Sequence, residues 1–265
     1  MIRVYRDDGQ LAHADDLAPP ALRNDGHFTT FQLRDRAVLG LDLHVQRLVA
    51  ASRSLFDATL DPARVVDALR RALDASHTRD ASVRITVCPR TTGAPSAAHP
   101  MDLLVSLAPA GEPATAPLRL RSFVFQRYRA AIKHAGTFPL FDHQRRARET
   151  GADDALFVDA AGDVLEGSVW NLGLWDGRTL VWPAGDALRG TRERLLQAGL
   201  AALGVAQCTR GVALAELDAP LAAFACNARG QQAIASVDGR TLAHDSALAS
   251  LLADALATQP WQPVG

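Results

Sequence analysis

A lysine amine that sheds its proton is a nucleophile and forms an imine with a carbonyl, whereas a guanidinium stays protonated and does neither. The 265-residue chain carries 28 basic residues, and one of them, Lys133, is a lysine; the rest are arginines. As surface charge the two serve equally, so a chain that writes arginine throughout and keeps one lysine marks that position for amine chemistry. Compositional drift in an arginine-rich chain would also leave one stray lysine, so the local sequence must decide. Lys133 sits in Ala131-Ile132-Lys133-His134, after a strand-like stretch and before a helix. Downstream lie a carboxylate in Glu166-Gly167-Ser168-Val169-Trp170-Asn171, a helix opening at Leu188-Arg189-Gly190-Thr191-Arg192, and Cys226-Asn227-Ala228; upstream lies Leu41–Leu48 with His44 and Arg47. A helix start offers N–H groups and a positive dipole end to a phosphate, and a guanidinium fork suits phosphate oxygens. Each piece also has a bland reading: Glu166 as a turn-flanking surface acid, Arg47 as an exposed helical arginine, Gly190-Thr191 as a plain helix cap.

These residues need elements to hold them. The Pro- and Ala-rich run from Ala108 to Pro117 reads as a linker. It predicts a small α+β subdomain over 1–110, a linker over 111–117, and a larger subdomain over 118–265 that carries the lysine. In the first part we expect a strand near 1–6, a hairpin from His27–Leu33 and Ala37–Leu41, and a helix from Asp42 as N-cap to about Phe56. A second helix begins at Asp61-Pro62, an N-cap followed by Pro at the first helical position. Strands follow at Ser82–Cys88 and Met101–Leu107. In the second part the expectation is a strand over Leu118–Gln126, a polar helix near Phe141–Thr150, and short strands at Ala155–Val158, Val164–Leu165 and Gly173–Trp175. A helix after Gly190 runs to about Leu203, strands cover Ala222–Cys226 and Gln232–Val237, and a last helix covers about 246–257. This is no regular βαβα series, and neither G-x-G-x-x-G nor G-x-x-x-x-G-K-[ST] is present. Dinucleotide, P-loop and (β/α)8-barrel readings are therefore disfavoured.

Composition narrows the function classes. A net charge of −1 with 22 % charged residues leaves no basic footprint for nucleic acid. No apolar run reaches the ~18 residues that span a bilayer, and the N-terminus lacks the apolar core of a signal peptide. Three widely spaced cysteines, Cys88, Cys208 and Cys226, argue against a disulfide framework or a metal ribbon and fit a reducing cytoplasm. No metal site is expected.

Taken in order around the lone lysine, these segments resemble the class IV, fold-type IV family of pyridoxal-phosphate (PLP) enzymes, over about Gly26 to Gly239. The family holds branched-chain and D-amino-acid aminotransferases and 4-amino-4-deoxychorismate lyases. The resemblance implies a two-subdomain α+β fold of the D-amino-acid-aminotransferase kind, PLP as cofactor, a homodimer, and an amino acid or 2-oxo acid as substrate. It implies that Lys133 carries PLP and moves the proton at the substrate Cα, and that Glu166 faces the pyridine nitrogen. Arg47, Gly190, Thr191, Arg192 and Asn227 are implied around the phosphate. Thr29, Tyr128, Ala228 and Arg229 are candidate substrate contacts. Arg127, Tyr128 and Arg129 precede the lysine on a strand-like stretch, where one would face the pocket or all would alternate toward solvent.

The wording places the chain between branches. Cys226-Asn227-Ala228, Gly26-His27-Phe28-Thr29-Thr30 and Ile132-Lys133-His134 are similar to the lyase branch, yet its Lys-His-Leu-Asn run is replaced by Lys133-His134-Ala135-Gly136. Phe138 stands where branched-chain aminotransferases place a tyrosine, and Thr191 sits one place earlier than the family's usual hydroxyl. The expected activity is aminotransfer, with pyruvate elimination to 4-aminobenzoate as the alternative. A non-catalytic PLP-binding relative and a PLP-free lysine aldolase are further alternatives, the last without its barrel pattern.

Overall fold

The structure is a computed structural model and describes residues 1–89, 101–218 and 221–265. It divides into two compact units. The first comprises Met1–Gly111, Ile132–Gly136 and Pro260–Gly265; the second comprises Glu112–Ala131 and Thr137–Gln259. One boundary between the units falls after Gly111, and the lysine segment and the C-terminal strand belong to the first unit. The lysine thus belongs to the smaller unit by its contacts, not to the chain stretch that follows the linker.

The first unit contains β1 (Arg3–Arg6), α1 (Ala14–Arg23), β2 (His27–Arg34), β3 (Ala37–Leu39), α2 (Leu41–Phe56), α3 (Pro62–Ser76), β4 (Ala81–Pro89) and β5 (Met101–Ala108). With the C-terminal strand Trp261–Pro263, these strands form a six-stranded antiparallel sheet in the order β1-β5-β4-β2-β3-C-terminal strand. The β2–β3 hairpin closes through Asp35-Arg36, both at positive φ, as a two-residue turn matched to strand twist requires. Alternate residues of the central strands (Phe31, Leu33, Val83, Ile85, Val105) join Leu48, Val65, Leu69 and Leu73 of the helices in one core. Asp61 caps α3 by accepting the Ala63 N–H at 2.9 Å, as expected. The cap of α2 differs: it is Gly40 at φ 72°, and Asp42 lies inside the first turn. The backbone enters that helix directly from the β3 hairpin in a left-handed conformation that glycine takes without strain.

The second unit contains β6 (Leu118–Val124), α4 (Phe138–Glu149), β7 (Asp154–Val158), β8 (Val164–Gly167), β9 (Asn171–Trp175), β10 (Thr179–Pro183), α5 (Thr191–Ala202), β11 (Ala206–Arg210), β12 (Ala222–Asn227), β13 (Gly230–Val237), β14 (Arg240–Thr241) and α6 (Ser246–Ala257). Its nine-stranded mixed sheet runs β11-β10-β9-β12-β13-β6-β7-β8, with β14 on β13. The two ends of the sheet are drawn together: Val164 on β8 donates to the Val212 carbonyl just past β11 at 2.8 Å. Curling of this kind removes exposed strand edges. The alternation along β12 shows the two faces. Ala223 and Ala225 join the enclosed core with Leu120, Leu156, Leu172 and Leu174. Ala222, Phe224 and Cys226 face α5 and α6 with Trp182, Leu196, Leu200 and Leu252. The helix α5 is held down where Gly199 meets α6: a Cβ there would lie 2.0 Å from the Ala255 carbonyl oxygen.

Candidate active site

In the first unit, the lysine segment extends the sheet by one bridge. The Phe28 N–H donates to the Lys133 carbonyl at 2.9 Å and the Ala135 N–H donates to the Gly26 carbonyl at 2.8 Å, with His27 opposite His134. The lysine backbone is thereby fixed at the start of β2, while its half-buried side chain places Nζ 5.0 Å from the Phe28 ring centroid. The Arg84 guanidinium lies 3.6 Å from the same centroid, and burial pulls it below its usual value. Thr29, one residue further along β2, is fully buried, with Oγ1 2.6 Å from Nδ1 of His44 on α2. Arg47 follows on the same helix, half-buried, three residues on and so on the neighbouring turn. His44 packs against Phe31 at 4.9 Å between ring centroids, which agrees with a packing role.

In the second unit, Glu166 lies at the end of β8, just before Gly167, and is buried. One oxygen, Oε1, is 3.7 Å from the Arg127 guanidinium; the other accepts the Leu188 N–H at 3.2 Å. Arg127 is itself buried and donates to the Ala130 carbonyl at 2.9 Å. Burial lowers its affinity for a proton and Glu166 raises it. Among the three residues weighed before the lysine, Arg127 is therefore the inward one. It faces Glu166, so the expectation of a solvent-facing alternation fails there, while Tyr128 and Arg129 are exposed. The strand ends at Val124, and the backbone beyond it is irregular, with Arg129 at φ 48°.

The turn between Glu166 and Asn171 is built around Asp154. The Ser168 hydroxyl donates to this buried carboxylate at 2.6 Å, Trp170 Nε1 at 3.1 Å and Gln144 Nε2 at 3.0 Å. The indole then lies over Gly167, where a Cβ would stand 2.0 Å from a ring carbon. Asn171, at the start of β9, donates through Nδ2 to the Leu188 carbonyl at 2.6 Å. Two residues later Gly190 caps α5, the helix that opens with Thr191 and Arg192. The Arg192 side chain donates through Nε to the Asn227 carbonyl at 3.1 Å and through Nη2 to the Ala228 carbonyl at 3.5 Å. Asn227 Oδ1 accepts the Arg229 N–H at 2.9 Å, making an Asx turn of the β12–β13 loop. Arg229 is exposed and Ala228 half-buried. The expected phosphate residues Gly190, Thr191, Arg192 and Asn227 are thus one connected patch. A shallow cavity of about 130 Å3 opens beside it, lined in part by Asn227, Arg229, Gln231, Trp170 and Asp154.

Sequence reasoning missed Arg127 as the partner of Glu166, and it gave Asn171 no role. A run of alternating Arg-Tyr-Arg carries no signal of which side chain turns in. The order Glu-Gly-Ser-Val-Trp-Asn does place Asn five residues after Glu, but only the hairpin geometry shows that both reach one residue, Leu188. Among the described residues no group of three or more His, Cys, Asp or Glu could hold a metal, and no helix is long and apolar enough to cross a membrane.

The Amino-transferase class IV family matches residues 26–237, and the chain belongs to that family. Its fold is shared with solved structures of low sequence identity. A hypothetical aminotransferase from Mycobacterium tuberculosis in PLP-bound form is 22 % identical, with 97 % of this chain and 99 % of that one covered at a TM-score of 0.80. A branched-chain aminotransferase from Thermoproteus uzoniensis with norvaline is 19 % identical, with 99 % of both chains covered at a TM-score of 0.85. The Escherichia coli branched-chain amino acid aminotransferase is 17 % identical, with 94 % and 91 % covered at a TM-score of 0.80. No curated protein matches the chain by sequence. The expected α+β fold of the class IV aminotransferase kind is the fold observed.

The lysine's sheet partner carries a pH liability. His27 is 1 % exposed, its Nε2 lies 3.0 Å from the Ser52 hydroxyl, and burial pushes its pKa down to about 4. The unfolded chain binds that proton near the ordinary value of about 6.5. Folded stability is therefore complete above about pH 6.5 and falls as pH drops toward about 4, by about 3 kcal/mol from this group. Urea unfolding between pH 7 and pH 4 should show a shallower decline for His27→Gln than for the parent; equal declines would contradict the assignment.

Proposed function

We propose that the protein is a PLP-dependent aminotransferase that moves an amino group between an α-amino acid and a 2-oxo acid. Aminotransferase chemistry follows from the family, and the reading is carried by one observation: the chain's single lysine is fixed by backbone hydrogen bonds on both sides at the start of β2. The donor set fits the cofactor. It contains one amine, a buried carboxylate kept beside a guanidinium, and a helix N-terminus whose glycine cap leaves no room for a Cβ. The solved Mycobacterium tuberculosis protein was also captured with α-ketoglutarate and pyridoxamine phosphate, which supports an amino-acid/2-oxo-acid pair as substrates.

When bound, PLP supplies an electron sink for charge developing at the substrate Cα. Lys133 would hold it through its amine and then take and return the proton at that carbon. Glu166 would face the pyridine nitrogen as an anion; the buried Arg127 guanidinium favours the charged carboxylate there. The N–H groups of Gly190, Thr191 and Arg192 and the guanidinium of Arg47 would take the phosphate. Arg192 also braces the Asn227–Gly230 turn, whose N–H groups would meet the phosphate or a substrate carboxylate. Tyr128, Ala228 and Arg229 remain the proposed substrate contacts; Thr29 is dropped from that set, since it is fully buried and its hydroxyl is engaged by His44.

A homodimer belongs to the same reading. Val124, Tyr128, Phe138 and Phe141 in the second unit are 73, 83, 68 and 44 % exposed. Large apolar side chains left exposed favour a partner surface, and a second copy of the chain would cover them. Described cysteines are all unpaired, in keeping with a cytoplasmic location.

Purified protein loaded with PLP should absorb in the visible and change to the pyridoxamine spectrum when mixed with an amino-acid donor. Lys133→Arg should keep the fold and lose turnover. Glu166→Gln should keep binding but lose about two or more orders of magnitude in rate. Substantial turnover by Lys133→Arg contradicts the lysine's role; 4-aminobenzoate formed from aminodeoxychorismate, with no spectral change on any amino acid, contradicts aminotransfer. Sedimentation equilibrium should give a dimer for the parent and a lower mass for the Phe138→Asp/Phe141→Asp variant; a monomeric parent overturns the dimer.

A further inference from the structure

We infer that Asn171 is a positioning residue that sets the phosphate cradle, and that it does so together with the carboxylate at the ring end of the site. The inference rests on the PLP reading above and goes beyond it to a residue that touches neither ring nor phosphate.

Leu188 is a buried loop residue whose two peptide groups are both held by side chains rather than by secondary structure. Its N–H donates to Glu166 Oε2 at 3.2 Å, and its carbonyl accepts from Asn171 Nδ2 at 2.6 Å. A buried peptide left unpaired is costly, so these two bonds decide where the loop runs. The same Asn171 side chain then meets the next turn of the loop: its Oδ1 would stand 2.2 Å from a Cβ on Gly190, the residue that caps α5. One amide therefore fixes the loop by a donor on one side and by close contact on the other. The neighbouring Arg189 side chain reaches Glu193 and the Gly185 carbonyl.

Glu166 and Asn171 are themselves one rigid piece. They flank a turn locked by Asp154, which accepts from Ser168 and Trp170, and by the Gly167 N–H, which donates to the Trp170 carbonyl at 2.9 Å. The spacing between the ring carboxylate and the α5 N-terminus is thus set through Leu188. Loss of the Asn171 amide frees the loop end while Glu166 stays in place. Phosphate binding should weaken and ring binding should not.

The test compares two probes on apo-protein: pyridoxamine 5′-phosphate and pyridoxamine, which lacks the phosphate. Neither forms an imine with Lys133, so both report non-covalent binding. By fluorescence titration, Asn171→Ala should weaken pyridoxamine 5′-phosphate about tenfold, as expected for one lost buried hydrogen bond, and leave pyridoxamine nearly unchanged. Asn171→Asp, which keeps the size but turns an oxygen toward the Leu188 carbonyl, should show the same selective loss and serves if the alanine variant does not fold. Gly190→Ala should weaken pyridoxamine 5′-phosphate in the parent and less so in the Asn171→Ala background, because the clash is with Asn171 itself. Equal weakening of both probes, or no change in either, overturns the positioning role while leaving the cofactor reading intact. A parent protein that binds neither probe overturns both.

Discussion

Two backbone hydrogen bonds hold the chain's single lysine where the small sheet begins. Phe28 donates to the Lys133 carbonyl, and Ala135 donates to the Gly26 carbonyl. A side chain with four rotatable bonds is a poor tool unless its backbone is fixed, since each immobilised rotamer-rich chain costs entropy at the moment of use. Here the fixing is done by sheet hydrogen bonding, and the sheet is in turn held by the α2 and α3 core. The buried His27 and Thr29 on either side of Phe28 tie the same strand to Ser52 and His44 of α2. The position of Lys133 thus depends on a strand whose flanks are pinned to a helix.

The second unit solves a different problem, the holding of buried charge. Glu166, Asp154 and Arg127 are buried and Arg192 is half-buried, which is tolerable only with partners. Each has them in backbone N–H groups, carbonyls or an opposite charge. Asp154 gathers three side-chain donors and shapes the turn; Glu166 takes a guanidinium and a peptide; Arg192 caps two carbonyls of the β12–β13 turn. The result is a stiff frame around the α5 N-terminus, in which the polar side chains serve mainly to place backbone.

Much of this was legible in the sequence because its signals are local. The Asp61-Pro62 start of α3, the Gly190 start of α5 and the alternation of β2 come from capping and periodicity, and the rarity of lysine singled out Lys133 as the proposed reactive amine. What escaped was set by tertiary contacts or by rule-breaking residues. Helix α1 contains Pro19 and Pro20, which argue against a helix, and it buries no side chain. The strand β11 (Ala206–Arg210) is polar and largely exposed, a parallel edge added to β10, and its sequence has no strand pattern. Asp42 reads as a better N-cap than Gly40, yet the hairpin geometry chose the glycine. No local signal tells that residues 132–136 group with the first unit. In the site, Arg127 and Asn171 became visible only once β6 had broken and the Glu166–Asn171 turn had closed.

The most direct measurement is a covalent one. Protein incubated with PLP, reduced with borohydride and digested should yield one phosphopyridoxyl group per chain, on the peptide that contains Lys133. Since the chain has no other lysine, the label has only the N-terminal amine as an alternative. Label at Lys133, displaced by prior exposure to an amino-acid donor, is the predicted result. A label confined to the N-terminus, or none at all, would contradict the account.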